Sequence, residues 1–201
     1  MPPKPKYTRE EITAAALELA AEKGISALTA RDLGAALGIS TRPIFTAFKN
    51  MDDVLAEVRL AAIARFNEYA EKAKEYSPVF KQIGLQMILF AQEQPKLFRL
   101  TFMSEKPEAR SFDDVINNLG ETATLCLDVL QKEYGLSAEN AKTVFEHCWV
   151  STFGICVLIA TRACAFSIDE ISDLLSREFH AILTFIKSGM ADNCTVIPHK
   201  L

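Results

Sequence analysis

Apolar residues recur along this chain at helical spacing almost from end to end. Ile12, Ala15, Ala16, Leu19 and Ala20 fall at i, i+3, i+4, i+7 and i+8, one face of a helix. Thr8 and Glu11 have the spacing of a capping box before that run, Tyr7 and Ile12 that of a hydrophobic staple, and Gly24 closes it. The grammar then repeats. Leu28 and Leu33 are the staple, Thr29 is the N-cap, Asp32 sits in the first turn, and the short helix stops at Gly38. Asn50, with Asp53 three residues on, opens a long pattern reaching about Tyr76. Ser77-Pro78 starts the next helix, with proline at its first position, and Pro95 ends or kinks it. A short piece over Lys96–Met103 leads into the polar stretch SEKPEARS, which reads as a loop. Helices from about Phe112 to Tyr134, Ser137 to Ala165 and Ser167 to Ala191 follow, the last opened by a Ser167/Glu170 capping box. No segment alternates with a period of two. The pattern predicts an all-α fold of about nine helices.

The stretch ALGISTRPIFTAFKN stops one helix at Gly38 and restarts another within a few residues. A helix, a tight turn at glycine and a second helix make a helix-turn-helix. Gly38 accepts a positive φ, and Gly34 supplies the small residue needed where the two helices cross. Ile39, Ile44 and Phe48 are spaced to face Ile12, Leu19 and Leu33. Thr41, Arg42, Phe45, Thr46 and Lys49 are left on the outer side. With Ser40 as N-cap, Pro43 is the third helical residue. Because proline disfavours helical geometry at Arg42, the boundary falls at Ser40 or one residue later. A tip of Ser, Thr and Arg at a helix N-terminus suits phosphates and base edges, with Arg42 placed for guanine and Lys49 for a flanking phosphate. Yet any α-helical protein contains helix–glycine–helix corners with solvated cations outside. Spacing alone leaves both readings open.

Charge changes the picture. The 201 residues carry a net −4, weak evidence against nucleic acid, but residues 1–50 sum to +2 and residues 51–201 to −6. The asymmetry isolates the N-terminal quarter. Five cysteines contain no Cys-x-x-Cys pair, and Cys148, Cys156 and Cys164 stand eight apart, roughly 12 Å per helical step and too far to share a metal. They read as buried reduced thiols, with a redox role as the alternative. No start resembles a signal peptide, and the apolar run from Cys148 to Thr161 is shorter than the ~20 residues of a membrane span. These features point to a cytoplasmic chain with no cofactor and no membrane partner. Nucleophile–base pairs, paired carboxylates, phosphate loops and metal spacing are all missing, which argues against an enzyme.

The segments AAEKGISALTARDLGAALGIS, TRPIFTAFKN and MDDVL resemble the tetracycline-repressor (TetR) family of bacterial transcription regulators over about fifty N-terminal residues. The remainder is similar only in outline, through helix number and a final long pair. The resemblance implies a DNA-binding head at 1–50 and a ligand-binding and dimerising body at 51–201. It implies DNA contacts from Lys6, Arg9, Thr29, Arg31, Ser40, Thr41, Arg42, Pro43, Phe45, Thr46 and Lys49, with Lys4 in support. Three positions depart from the family pattern: Phe45 stands where Tyr is common, Ala47 where His is frequent, and Met51 where Lys is usual.

The same resemblance implies a homodimer on a pseudo-palindromic operator, acting as a repressor released by a small molecule. Large soft side chains in the middle of the chain suit a largely apolar effector. The candidate lining is Met87, Phe90, Phe98, Phe102, Met103, His147 and Ser151, with Phe112 beside it. His147 next to Cys148 has no third partner at metal spacing, so it reads as a pocket polar group. The −6 balance of the body leans towards a cationic effector. Trp149, Phe153, Val157, Leu174, Phe179, Leu183 and Ile186 are the candidate dimer surface, each equally able to serve the internal core.

Overall fold

The computed structural model describes residues 7–104 and 111–189, which form ten α-helices and two short 3-10 turns with no strand. In the N-terminal part, α1 spans Arg9–Lys23, α2 Ala30–Leu37 and α3 Arg42–Ala47, and α4 runs over Met51–Lys72. The body continues with α5 (Val79–Glu93), α6 (Pro95–Phe102), α7 (Phe112–Asn117), α8 (Glu121–Tyr134), α9 (Ala138–Ala160) and α10 (Ile168–Ser188). The helix starts follow the sequence grammar. Thr8 accepts from the Glu11 N–H while the Glu11 carboxylate takes the Thr8 N–H at 2.7 Å, and Ser167 and Glu170 repeat the exchange. The Asn50 side chain accepts from the Asp53 N–H at 2.9 Å. Each exchange satisfies donors that a helix N-terminus leaves unpaired.

Helix α3 begins at Arg42 with Thr41 as N-cap, the later of the two boundaries the sequence leaves open, with Pro43 at its second position and no side-chain cap. Three boundaries differ from the sequence reading. Pro78 is extended (φ −76°, ψ 134°) and serves as the N-cap of α5, outside the helix. The helix expected from Phe112 to Tyr134 is two, because Gly120 turns with φ 54° between α7 and α8. The ninth helix ends at Ala160, five residues short of Ala165. Most of the SEKPEARS loop and the expected end at Ala191 lie outside the described residues.

The head packs around Ile12, Leu33 and Ile44, all fully buried, with Leu19 and Phe48 beside them. Gly38 ends α2 in the left-handed region at φ 65°. Gly34 sits at the crossing of the helix-turn-helix, where an added Cβ would lie 2.9 Å from the Ile39 carbonyl oxygen. The obstacle is backbone and cannot rotate away. Gly34→Ala is therefore expected to destabilise the protein by about 1–3 kcal/mol through overpacking, read as a lowered urea midpoint.

In the body α9 is the central helix, packed against α5, α6, α8 and α10. It is long and apolar enough to cross a membrane by length and composition, longer than the apolar run read from Cys148. Eight of its residues, from Ala141 to Ala160, are buried in this helical body. Helix α4 packs on α1 as well as on α5, α6 and α8, so it belongs to both parts. Of the described cysteines, Cys126, Cys148 and Cys156 are buried and Cys164 is exposed. Burial pushes the three buried thiols well above the ordinary thiol range, which leaves them protonated and poorly nucleophilic.

Candidate nucleic-acid interface and effector cavity

The outer side of the helix-turn-helix carries the polar set that the sequence places there. Thr41, Arg42, Phe45, Thr46 and Lys49 are exposed, while Ile44 and Phe48 are buried beneath them. The Thr46 hydroxyl donates to the Arg42 backbone carbonyl at 3.0 Å, and the Arg42 side chain is exposed at the tip. A shallow concavity joins this tip to the start of α1, lined by Tyr7, Thr8, Arg9, Arg42, Pro43 and Thr46. With only six residues, α3 has a small dipole, so side chains must supply the recognition. Ser40 and Arg31 are exposed close by. Thr29 is occupied as the cap of α2, its hydroxyl donating to Asp32 at 2.6 Å. Lys6 and Lys4 lie outside the described residues.

Arg9 has an internal partnership that sequence reading missed. Its guanidinium donates to Asp53 at 2.9 Å, to Glu57 at 2.8 Å and to the Ala47 carbonyl at 2.9 Å, and it lies over the Phe48 ring at 4.2 Å. One side chain thus ties α1, the end of α3 and the first turns of α4 together. Its charge is neutralised within the head. The only signal in the sequence was the acidic pair Asp53 and Glu57 at i and i+4, like charges on one helix face that repel unless a cation from elsewhere joins them.

The hydrogen bond from Arg9, followed by the one from the Lys49 N–H, holds the Asp53 carboxyl below the usual carboxylate range. A depressed folded pKa adds stability that is present above the unfolded value and is lost as pH falls through the folded one. The melting temperature should therefore drop below about pH 4, where free aspartate protonates. In Asp53→Asn the midpoint should start lower at neutral pH and change less over the acid range. Thermal melts of both proteins across that range provide the check.

The body holds a partly open cavity of about 60 Å³ between α4, α5, α8, α9 and α10. Phe66, Phe80, Ile83, Phe145, Leu175 and Phe179 form most of its wall, with Met87 among them. Of the expected lining, Met87 alone is on this wall. Phe90 and Phe98 are fully buried in the core, and Phe98 touches Phe102 and Phe153 with ring centroids 5.1 and 5.8 Å apart. Phe102 packs edge-on against Phe66. Met103, Phe112 and His147 are exposed and Ser151 is half-buried. Helical periodicity placed these residues on apolar stripes but not on the stripe that faces the cavity.

The expected dimer set divides in the same way. Trp149 and Phe179 are cavity wall, and Phe153 stacks on Trp149 at 5.0 Å. Val157, Leu183 and Ile186 are half-buried, and Leu174 faces outward. The exposed large apolar positions on this helix pair are Val150 and Leu158 on α9, with Ile168, Leu174 and Phe185 on α10. Gly154 lies halfway between Val150 and Leu158, and an added Cβ there would meet nothing within 4 Å. Among the described residues, no cluster of three His, Cys, Asp or Glu side chains is arranged to hold a metal.

A solvent-facing recognition helix on a compact three-helix head, joined by one long helix to an all-α body, defines a helix-turn-helix DNA-binding regulator. Residues 12–58 match the family of bacterial regulatory proteins, tetR family, and residues 80–182 match the tetracyclin repressor-like C-terminal domain. The chain belongs to the TetR family. Solved structures share the fold. A TetR-family transcriptional regulator from Haemophilus influenzae RD is 19% identical (TM-score 0.58), with 86% of this chain and 94% of that one covered. A second, from Mesorhizobium loti, is 18% identical (TM-score 0.59), covering 88% and 95%. The fatty acid degradation regulator FadR of Bacillus halodurans is 17% identical (TM-score 0.53), covering 87% and 94%. No curated protein sequence matches the chain.

Proposed function

We propose that this regulator is a cytoplasmic, non-catalytic repressor. It binds a pseudo-palindromic operator as a homodimer and is released from it by a small, largely apolar effector. The head is residues 1–50 and the body 51–201. The observation that carries the reading is the recognition helix: Ile44 and Phe48 anchor it while Arg42, Thr46 and Lys49 stay clear for DNA. Arg42 reads a base edge, and Thr41, Ser40, Arg31 and Lys49 contact phosphates. Arg9, held by Asp53 and Glu57 of α4, acts by positioning the end of α3 through the Ala47 carbonyl and the Phe48 ring. Two heads set one DNA turn apart, about 34–36 Å, would read the two half-sites. The outward apolar positions Val150, Leu158, Leu174 and Phe185 supply the dimer contact. The open surface at Gly154 lets a partner helix approach closely.

Site selection from a random duplex library tests this, with light scattering of the free protein alongside. An inverted repeat and a dimeric mass are expected. A monomer, or no enriched motif with or without metabolite extract, overturns the reading. The second outcome would favour a helical small-molecule-binding protein whose head does not read DNA. Phe45, Ala47 and Met51, which lack the family's usual polar groups, favour that alternative.

A further inference from the structure

The cavity in the body is apolar except at a few points, and those points define a chemistry. The Thr122 hydroxyl is already engaged, donating to Asn67 at 3.0 Å. Trp149 lines the cavity, yet its indole N–H is buried with no acceptor among the described residues. Such a donor costs free energy until something accepts from it. Lys81, half-buried on α5, also lines the cavity. Its ammonium donates to the Ser172 hydroxyl on α10 at 2.7 Å and forms no ion pair with a described carboxylate. An ammonium has three donors, and Ser172 uses one. Glu178, whose charge adds to burial in raising the Cys148 thiol, forms no ion pair with Lys81.

Resting on the ligand-responsive reading above, we propose that the cavity takes an amphipathic anion. Its apolar body, aromatic or compatible with aromatic walls, sits among Phe66, Phe80, Phe145 and Phe179. Its single oxyanion head is met by Lys81, and one of its acceptor atoms takes the Trp149 N–H. A cation would meet Lys81 as a like charge, and a neutral hydrocarbon would leave the Lys81 ammonium with Ser172 alone and the Trp149 N–H with nothing to accept from it. The net −6 of the body suggested a cationic effector, but the lining decides over the distant surface charge.

Two dyes of one scaffold separate the possibilities: anilinonaphthalene sulfonate, which carries an oxyanion, and phenylnaphthylamine, which does not. Their emission on binding is titrated against the full chain, and quenching of Trp149, the sole tryptophan, provides a second readout. The wild type is expected to bind the sulfonate about tenfold more tightly, the size of one charge-assisted hydrogen bond. Lys81→Met should remove that preference by weakening the sulfonate about tenfold, with the neutral dye changed less than twofold. Gly84→Leu, whose Cβ would stand 3.4 Å from Leu175 Cδ1, should fill the cavity and weaken both dyes. Equal affinities in the wild type, a preference that survives in Lys81→Met, or binding unaffected by a folded Gly84→Leu would each overturn the proposal. Operator selection fails or succeeds separately. A chain with no operator but an intact, Lys81-dependent preference would lose the repressor reading and keep this one.

Discussion

Replacing Arg42 with alanine is expected to flatten sequence preference at the operator while leaving the fold intact. Arg42 is exposed at the first position of α3, and its only described bond is through its backbone carbonyl, to Thr46. Nothing in the head depends on its side chain, so melting should be unchanged. A bidentate arginine–guanine contact is worth about 1–3 kcal/mol of discrimination. The proposed symmetric dimer would make it twice, so the loss at the preferred site should reach about thirtyfold or more. The mutant's residual binding should resemble the wild type's binding to unrelated DNA. Competition titrations with operator and scrambled duplexes measure both quantities. The electrostatic component should also be modest. Arg9 is neutralised by Asp53 and Glu57, and Phe45 offers no hydroxyl, so few cations remain to displace counterions. A shallow slope of log affinity against log salt is expected for the wild type.

The second large effect lies about 22 Å along α4 from its start, at Phe66. This ring is 2% exposed, packs on Phe90 and Phe102 at 5.7 and 5.3 Å, and forms the α4 contribution to the cavity wall. Phe66→Ala should cost about 3–5 kcal/mol by removing those contacts and enlarging the void. It should also blunt the response to effector, because α4 is the helix that leads from the cavity to the head. Urea unfolding followed by helical circular dichroism measures the first. Effector-dependent release of operator DNA, at a temperature where the mutant is folded, measures the second. A Phe66→Leu variant, which retains most of the volume, should recover much of both.

The parts of this molecule that the sequence made legible are those governed by local rules. The caps at Thr8, Thr29, Asn50 and Ser167 form as their spacing requires, and Gly38 turns where a positive φ was needed. The inner and outer sides of α3 were readable because Ile44 and Phe48 stand four apart on one helix face while Arg42, Thr46 and Lys49 fall off it. Helix α9 was harder, since it is apolar nearly all round, and a helix of that kind carries no periodic mark of which stripe meets a cavity, a core or a partner. Trp149 and Phe179 were therefore assigned to the dimer surface and stand at the cavity, while Val150, Leu158 and Phe185 went unnoticed. The break at Gly120 was hidden because the preceding Asn117, Asn118 and Leu119 pass for the surface of a continuing helix. The internal role of Arg9 depends on residues more than forty positions away, beyond the reach of any local pattern.

At about 60 Å³, the cavity is far smaller than the 300–1,000 Å³ that drug-sized ligands occupy. An effector must therefore spread the surrounding helices, and part of its binding free energy goes into that separation. Linkage then runs in both directions. Whatever factor the effector removes from operator affinity, the operator removes from effector affinity. On the proposed mechanism, copies seated on DNA answer only to higher concentrations than free copies do. The response threshold would then depend on how many operators the protein serves as well as on the shape of its pocket.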